Sequence, residues 1–183
     1  IPILMMVCPL VVSGVLRIAG VIEGVLPHWL IEIGLLVLGA SGSSGCAAVQ
    51  LARAKGARVI AVAGGPEKSA FCQRIGADAV IDRRQQDVTE AALELTDGKG
   101  VSMVFDPVGG SAFRSALGCV ASEGRVLLVG FAEGEWGRAP LGDVVMKNYG
   151  LLGVFVGAYG RDVMSHAHEE LLDLYAEGGI RAV

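Results

Sequence analysis

Little in this chain is suited to holding a metal or cross-linking a scaffold. Its four cysteines stand at positions 8, 46, 72 and 119, and no two have the spacing of a zinc site or of a C-x-x-C redox pair. Free thiols in a reducing, cytoplasmic setting are the expectation. The three histidines, His28, His166 and His168, form no cluster, and two residues apart on a helix 166 and 168 face different sides. No metal site is therefore expected, and no side chain identifies itself as a catalytic acid or base. An excess of positive charge is also lacking. The net charge is −4, so the molecule as a whole is not built for nucleic acid. A long apolar run is missing too. Residues 1–16 carry no charge, but Pro2, Pro9 and Gly14 interrupt them, and Arg17, Glu23 and Glu32 break every longer window. A membrane span needs about 20 apolar residues, so no membrane partner is expected. No basic stretch opens the chain, so neither is a signal peptide. Residues 1–34 read as an unassigned lead-in, buried or interfacial.

The remainder is rich in what a buried parallel sheet needs. Of 183 residues, 52% are apolar and 27 are glycine, which suits one domain with many tight strand–helix turns. From residue 35 strands and helices alternate. Strands are expected at Leu35–Leu38, Arg58–Ala63, Ala79–Ile81, Val101–Phe105, Arg125–Val129 and Leu151–Val156. Helices are expected at Gly45–Lys55, Glu67–Ile75, from the cap Asp87 to Leu95, and at Ser111–Val120, Leu141–Asn148 and Asp162–Glu177. Repeated β-α-β units with right-handed crossovers give an α/β fold, a doubly wound parallel six-stranded sheet in the order 3-2-1-4-5-6. The loops Gly39–Gly45, Gly64–Pro66, Asp106–Gly110 and Gly130–Phe131 then share the carboxyl edge of the sheet, where ligands of this fold sit.

The first of those loops carries the strongest signal. Between an apolar strand and an amphipathic helix stands Ala40-x-Gly42-x-x-Gly45, a dinucleotide fingerprint with Ala in its first position. Such a loop brings backbone N–H groups and a helix N-terminus to a pyrophosphate. The end of strand two bears on which dinucleotide. A domain that holds unmodified ribose hydroxyls ends that strand with Asp or Glu, but Val62-Ala63-Gly64-Gly65 holds none. An acid there would repel a ribose 2′-phosphate, and its absence beside Lys68 suits one. It also argues against a methyltransferase of the same fold type. Arg83 is a second candidate for the phosphate. From Arg53 to Arg84 the chain has seven basic residues and three acids. That excess is either ordinary solvated helix surface or a phosphate site.

The runs Val37–Ala54 (VLGASGSSGCAAVQLARA), Gly64–Lys68 (GGPEK), Ile75–Asp82 (IGADAVID), Leu95–Val101 (LTDGKGV), Phe105–Gly110 (FDPVGG) and Gly124–Ala132 (GRVLLVGFA) resemble the medium-chain dehydrogenase/reductase superfamily in order and spacing. Within it they resemble the zinc-free, zeta-crystallin-like quinone oxidoreductases. The resemblance covers residue 35 to the end. It implies NADPH as cofactor and hydride transfer to a small-molecule quinone or activated alkene. By position it implies that Ser43 and Ser44 face the pyrophosphate beside Ala40, Gly42 and Gly45. Gly64, Lys68 and Arg83 would surround the 2′-phosphate, and Val108, Gly130 and Phe131 would flank the nicotinamide. Relatives often have Tyr in place of Arg83, and Gly-Gly-Val-Gly in place of Gly42-Ser43-Ser44-Gly45. They also carry a β-rich, GroES-like catalytic domain ahead of this one. Residues 35–183 are accordingly expected to be a cofactor domain without its catalytic partner, and inactive alone. A homodimer through the edge strand 151–156 is implied as well. Asp106 is expected to shape its loop, and Tyr159 either to approach the substrate side or to pack. Two other readings fit the same residues: an enoyl-reductase module of a polyketide synthase, and a non-catalytic, crystallin-like nucleotide binder.

Overall fold

The computed structural model describes residues 34–183; apart from Gly34, the lead-in falls outside the described residues. Strands and helices alternate as β1 (Leu35–Val37), α1 (Ser43–Ala54), β2 (Val59–Ala63), α2 (Pro66–Arg74), β3 (Ala79–Asp82), α3 (Val88–Leu95), β4 (Val101–Asp106), α4 (Gly110–Gly118), β5 (Val120–Leu128), α5 (Leu141–Lys147), β6 (Gly150–Gly153) and α6 (Arg161–Ala176). The six strands form one sheet, ordered β3-β2-β1-β4-β5-β6, with every pair parallel. This is the doubly wound α/β order expected.

The period of two along each strand divides the core into two layers. Leu35, Val37, Val59, Ala61, Met103, Phe105 and Leu127 face one side, where they meet Ala48, Val49, Leu51 and Ala52 of α1 and Leu171 of α6. Leu36, Ile60, Val62, Ile81, Val104 and Val126 face the other, against Ala91 and Ala92 of α3 and Phe113, Ala116 and Leu117 of α4. Helix ends follow local chemistry. Pro66 opens α2, where its missing N–H goes unused. Gly76, with φ of 109°, turns the chain after it. The Asp87 carboxylate caps α3 by accepting from the Glu90 N–H at 3.0 Å.

Most boundaries fall within two residues of expectation; the start of β5 and the end of β6 differ by more. The helix expected to reach Val120 ends at Gly118, and β5 begins at Val120 rather than Arg125. Val101 pairs with Val120 but Met103 with Arg125. The Glu123-Gly124 turn is thus absorbed as a bulge, with Glu123 at φ 62°. The sixth strand ends at Gly153, not Val156. Phe155 is 74% exposed and leads into a 3-10 turn, Val156–Ala158. Phe155 and Val156 therefore do not lie on the edge strand to which the dimer expectation assigned them. Among the described residues no helix is long and apolar enough to cross a membrane.

Candidate dinucleotide cleft

The loops after β1 and β4 leave the sheet in opposite directions, because β1 is flanked by β2 and β4. A crevice must open between them. It is a cleft of about 340 Å³, lined by Gly39, the 41–45 loop, Val62–Gly64, Lys68, Arg83, Pro107, Val108 and Ala132.

Its floor is the β1–α1 loop. Ala40 N–H donates to the Val62 carbonyl at 3.1 Å, which ties the loop to β2, and Gly42 N–H donates to the Gly39 carbonyl at 2.9 Å. The Cys46 N–H to Gly42 carbonyl bond, 2.8 Å, starts the helix. No side chain caps α1 at Gly42, and no acid stands in its first turn. The positive end of the helix dipole therefore faces the cleft without a carboxylate. Gly45 makes the close approach possible. A Cβ there would overlap the Gly39 carbonyl oxygen and come 2.7 Å from the Ala40 Cα.

The β2 side carries the cations. Strand β2 ends without an acid, but Asp82 stands one strand over, in register with Ala63. Its Oδ1 accepts from Gly65 N–H at 2.9 Å and Arg84 N–H at 3.0 Å. Those hydrogen bonds, Gly65 first, hold its carboxyl below the usual range. The acid thus serves the backbone, and Lys68 and Arg83 line the cleft. The Arg53–Asp78 ion pair and the His166–Glu169 contact both lie elsewhere.

The β4 side is built by Asp106, which is buried. Its carboxylate accepts from Val108 N–H at 2.8 Å and Gly109 N–H at 2.9 Å. Burial pushes its pKa up against the pull of those two donors. It shapes the loop, as expected. The loop after β5 is fastened to this one by Ala132 N–H to the Pro107 carbonyl, 3.1 Å, and Glu133 N–H to the Val108 carbonyl, 2.9 Å. Glu133 caps α4, accepting from Ser111 N–H at 2.6 Å and from its hydroxyl at 2.7 Å. The hydroxyl contact is the main reason its carboxyl is held low.

Gly42, Ser43, Ser44, Gly45, Gly64, Lys68, Arg83 and Val108 thus meet in one cleft. Ala40 lies beneath the loop, fully buried in the core. Gly130 packs on Pro107, where a Cβ would stand 2.9 Å from the carbonyl oxygen. Phe131 is half exposed and packs at a tilt against Trp136, ring centroids 4.6 Å apart and planes at 41°. Neither Gly130 nor Phe131 reaches the lining. Tyr159 packs against the core, which favours the packing role. Ser41, Pro107 and Ala132 line the cleft without having been singled out. So does Gly39, the residue just ahead of the fingerprint. Asp82 and Arg84 were missed because only strand pairing brings them beside the β2 turn. Cys72 and Cys119 are free thiols. Burial pushes the Cys72 thiol up to about 11 and the Cys119 thiol to about 12, which keeps both protonated and inert.

A hollow of about 370 Å³ lies at the other end of the strands, between Arg53, Gly56, Ala57, Arg58 and Asp78. Its polar groups are engaged with one another and the backbone. Arg53 pairs with Asp78 at 3.1 Å, Asp78 accepts from Val59 N–H at 2.7 Å, and Arg58 donates to the Leu95 carbonyl at 2.7 Å.

A six-stranded parallel sheet of this order, with a glycine loop and an uncapped helix at its switch point, defines a Rossmann-type α/β domain. Residues 45–177 match the family described as zinc-binding dehydrogenase. The chain belongs to that family, and the proteins it resembles include quinone oxidoreductases. It is 34% identical over 151 residues to a quinone oxidoreductase-like protein 2 homolog of Nematostella vectensis, covering 80% of this chain and 41% of that one. The quinone oxidoreductase of Pseudomonas syringae pv. tomato superposes with a TM-score of 0.86 at 32% identity, covering 98% of this chain and 54% of that one. The Escherichia coli quinone oxidoreductase complexed with NADPH gives 0.84 at 28% identity, covering 96% and 53%. The chain spans about half the length of these relatives, or less. Among the described residues no group of three or more His, Cys, Asp or Glu is placed to hold a metal ion. The metal in the family's description finds no donor set there.

Proposed function

We propose that this chain is the NADPH-binding unit of an oxidoreductase that reduces a quinone or another electron-poor alkene. The observation that carries the reading is the charge of the cleft: Lys68 and Arg83 line it, β2 ends without an acid, and Asp82 is engaged by the backbone. The glycine loop and the vacant helix cap fit a diphosphate. Ser43 and Ser44 add hydroxyl donors there, over the buried support of Ala40. Gly64, Lys68 and Arg83 would surround the 2′-phosphate. Val108, with Gly130 and Phe131 behind it, would bound the nicotinamide side. When bound, the reduced nicotinamide supplies the hydride; this chain's residues orient it and keep water from one side. Half-length coverage of the relatives supports placing the substrate-side residues on a further, GroES-like domain.

Calorimetric titration tests the cofactor. NADPH is expected to bind at least tenfold more tightly than NADH. Lys68→Ala should weaken NADPH by about tenfold, the lower end for a charge-assisted hydrogen bond, and leave NADH unchanged. Equal affinities, unaltered by that substitution, would sink the reading. Turnover is tested with the full-length protein and simple benzoquinones, where NADPH consumption is expected; none with any of several quinones would point to a non-catalytic nucleotide binder. Self-association belongs to the same proposal. Among the described residues no strand pairs with the outer edge of β6, and such an edge invites pairing with a second copy. Sedimentation at micromolar concentration should give twice the chain mass, and a monomer would remove this part.

A further inference from the structure

Arg84 lies outside the cleft lining, yet its side chain occupies the space that two glycines leave open. A Cβ on Gly65 would stand 3.1 Å from the Arg84 Nη1, and one on Gly64 would stand 3.4 Å from its Nε. The Arg83 Nε stands at the same 3.4 Å from the Gly64 position. Both guanidinium groups therefore rest on the β2–α2 turn, next to the cleft that Lys68 and Arg83 line. Their placement is not accidental to the chain's path. The single oxygen Oδ1 of Asp82 accepts both the Gly65 N–H and the Arg84 N–H, which fixes the turn and the root of Arg84 relative to each other. Both arginines help to hold the Asp82 carboxyl low, after the two backbone N–H groups, and Arg83 also lowers that of Glu133. Lys68, Arg83 and Arg84 carry three positive charges against the two carboxylates of Asp82 and Glu133, and adjacent guanidinium groups are stabilised by an anion between them. A phosphate monoester carries close to two negative charges at neutral pH and has three acceptor oxygens. That is more than a single arginine fork can satisfy.

We propose that Arg84 is a second specificity-determining arginine, sharing the ribose phosphate with Arg83, and that Asp82 is the positioning residue for both the turn and Arg84. The proposal rests on the NADPH reading above.

The test is calorimetric titration of the full chain with NADPH and with NADH. Arg84→Ala should weaken NADPH about tenfold and leave NADH unchanged, and Arg84→Lys should retain part of the difference. The double variant Arg83→Ala/Arg84→Ala should bring NADPH close to the NADH affinity. Asp82→Ala should erode the preference, and Asp82→Asn, which keeps an acceptor oxygen, should restore it; any other pattern removes the positioning role. Arg84 is exposed, so its substitution is not expected to disturb folding, and circular dichroism checks this. If the unmodified chain prefers NADPH and loses that preference on Lys68→Ala or Arg83→Ala but not on Arg84→Ala, the Arg84 proposal falls and the cofactor reading stands. If the unmodified chain does not distinguish the two cofactors, the cofactor reading itself falls and this one with it.

Discussion

Gly45→Ala is expected to lower NADPH affinity at least a hundredfold and to cost about 2–3 kcal/mol of stability, the upper range for forcing one methyl into a packed site. The added carbon would overlap the Gly39 carbonyl oxygen and stand 2.7 Å from the Ala40 Cα and 2.8 Å from the Gly39 carbonyl carbon. All three are backbone atoms, so no rotamer change relieves the contact. Either the β1–α1 loop lifts or α1 moves outward, and both displace the N–H groups at the helix mouth. The loop cannot lift freely, because Ala40 N–H is bonded to the Val62 carbonyl and Gly42 N–H to the Gly39 carbonyl. Gly142→Ala is the matched control. It lies in α5 with nothing within 4 Å of the added Cβ, so it should be neutral or stabilise by up to about 1 kcal/mol. Urea denaturation and NADPH titration of both variants make the comparison. A Gly45→Ala protein with unchanged affinity would mean that the loop does not hold the diphosphate.

Phe105→Ala should have the largest effect on stability alone, about 3–5 kcal/mol. Phe105 is fully buried and among the largest side chains so enclosed. It sits mid-sheet, paired with Val37 of β1 and Leu127 of β5. Its removal opens a cavity that a six-stranded sheet cannot close, since both neighbouring strands are fixed by their own pairing. A domain of this size has about 5–15 kcal/mol in all, so this one truncation threatens folding at physiological temperature. The drop in the urea midpoint measures it, and a loss under about 1 kcal/mol would contradict the packing described.

Much of the cleft was legible because its parts are local. The fingerprint loop, the turn after β2 and Val108 each follow directly on a strand, and the parallel topology puts every such turn on one edge. Lys68 and Arg83 were found by what β2 lacks. The boundaries that slipped were those where local pattern is ambiguous. Val120 is apolar at a spacing that continues α4, but pairing with Val101 draws it into β5. Leu151–Val156 is nearly unbroken apolar sequence, yet regular pairing to β5 stops at Gly153. Ala40 occupies a fingerprint position without facing the cleft, since spacing says which residues belong to a turn but not which side they present.

The alternation of short apolar strands with amphipathic helices was enough by itself to determine the layered α/β architecture and its strand order, because parallel strands joined by right-handed crossovers leave few other arrangements. The glycine loop and the missing acid were also legible from sequence alone, as the pattern of a turn suited to phosphate. Only the tertiary structure decided which charges stand there. Asp82 and Arg84 reach the β2 turn through strand pairing, and hydrogen bonds across that pairing engage the acid with the backbone while the arginine stays beside the cleft. Such an outcome depends on registry between strands distant in sequence, and registry is settled only when the two faces of the sheet are buried together.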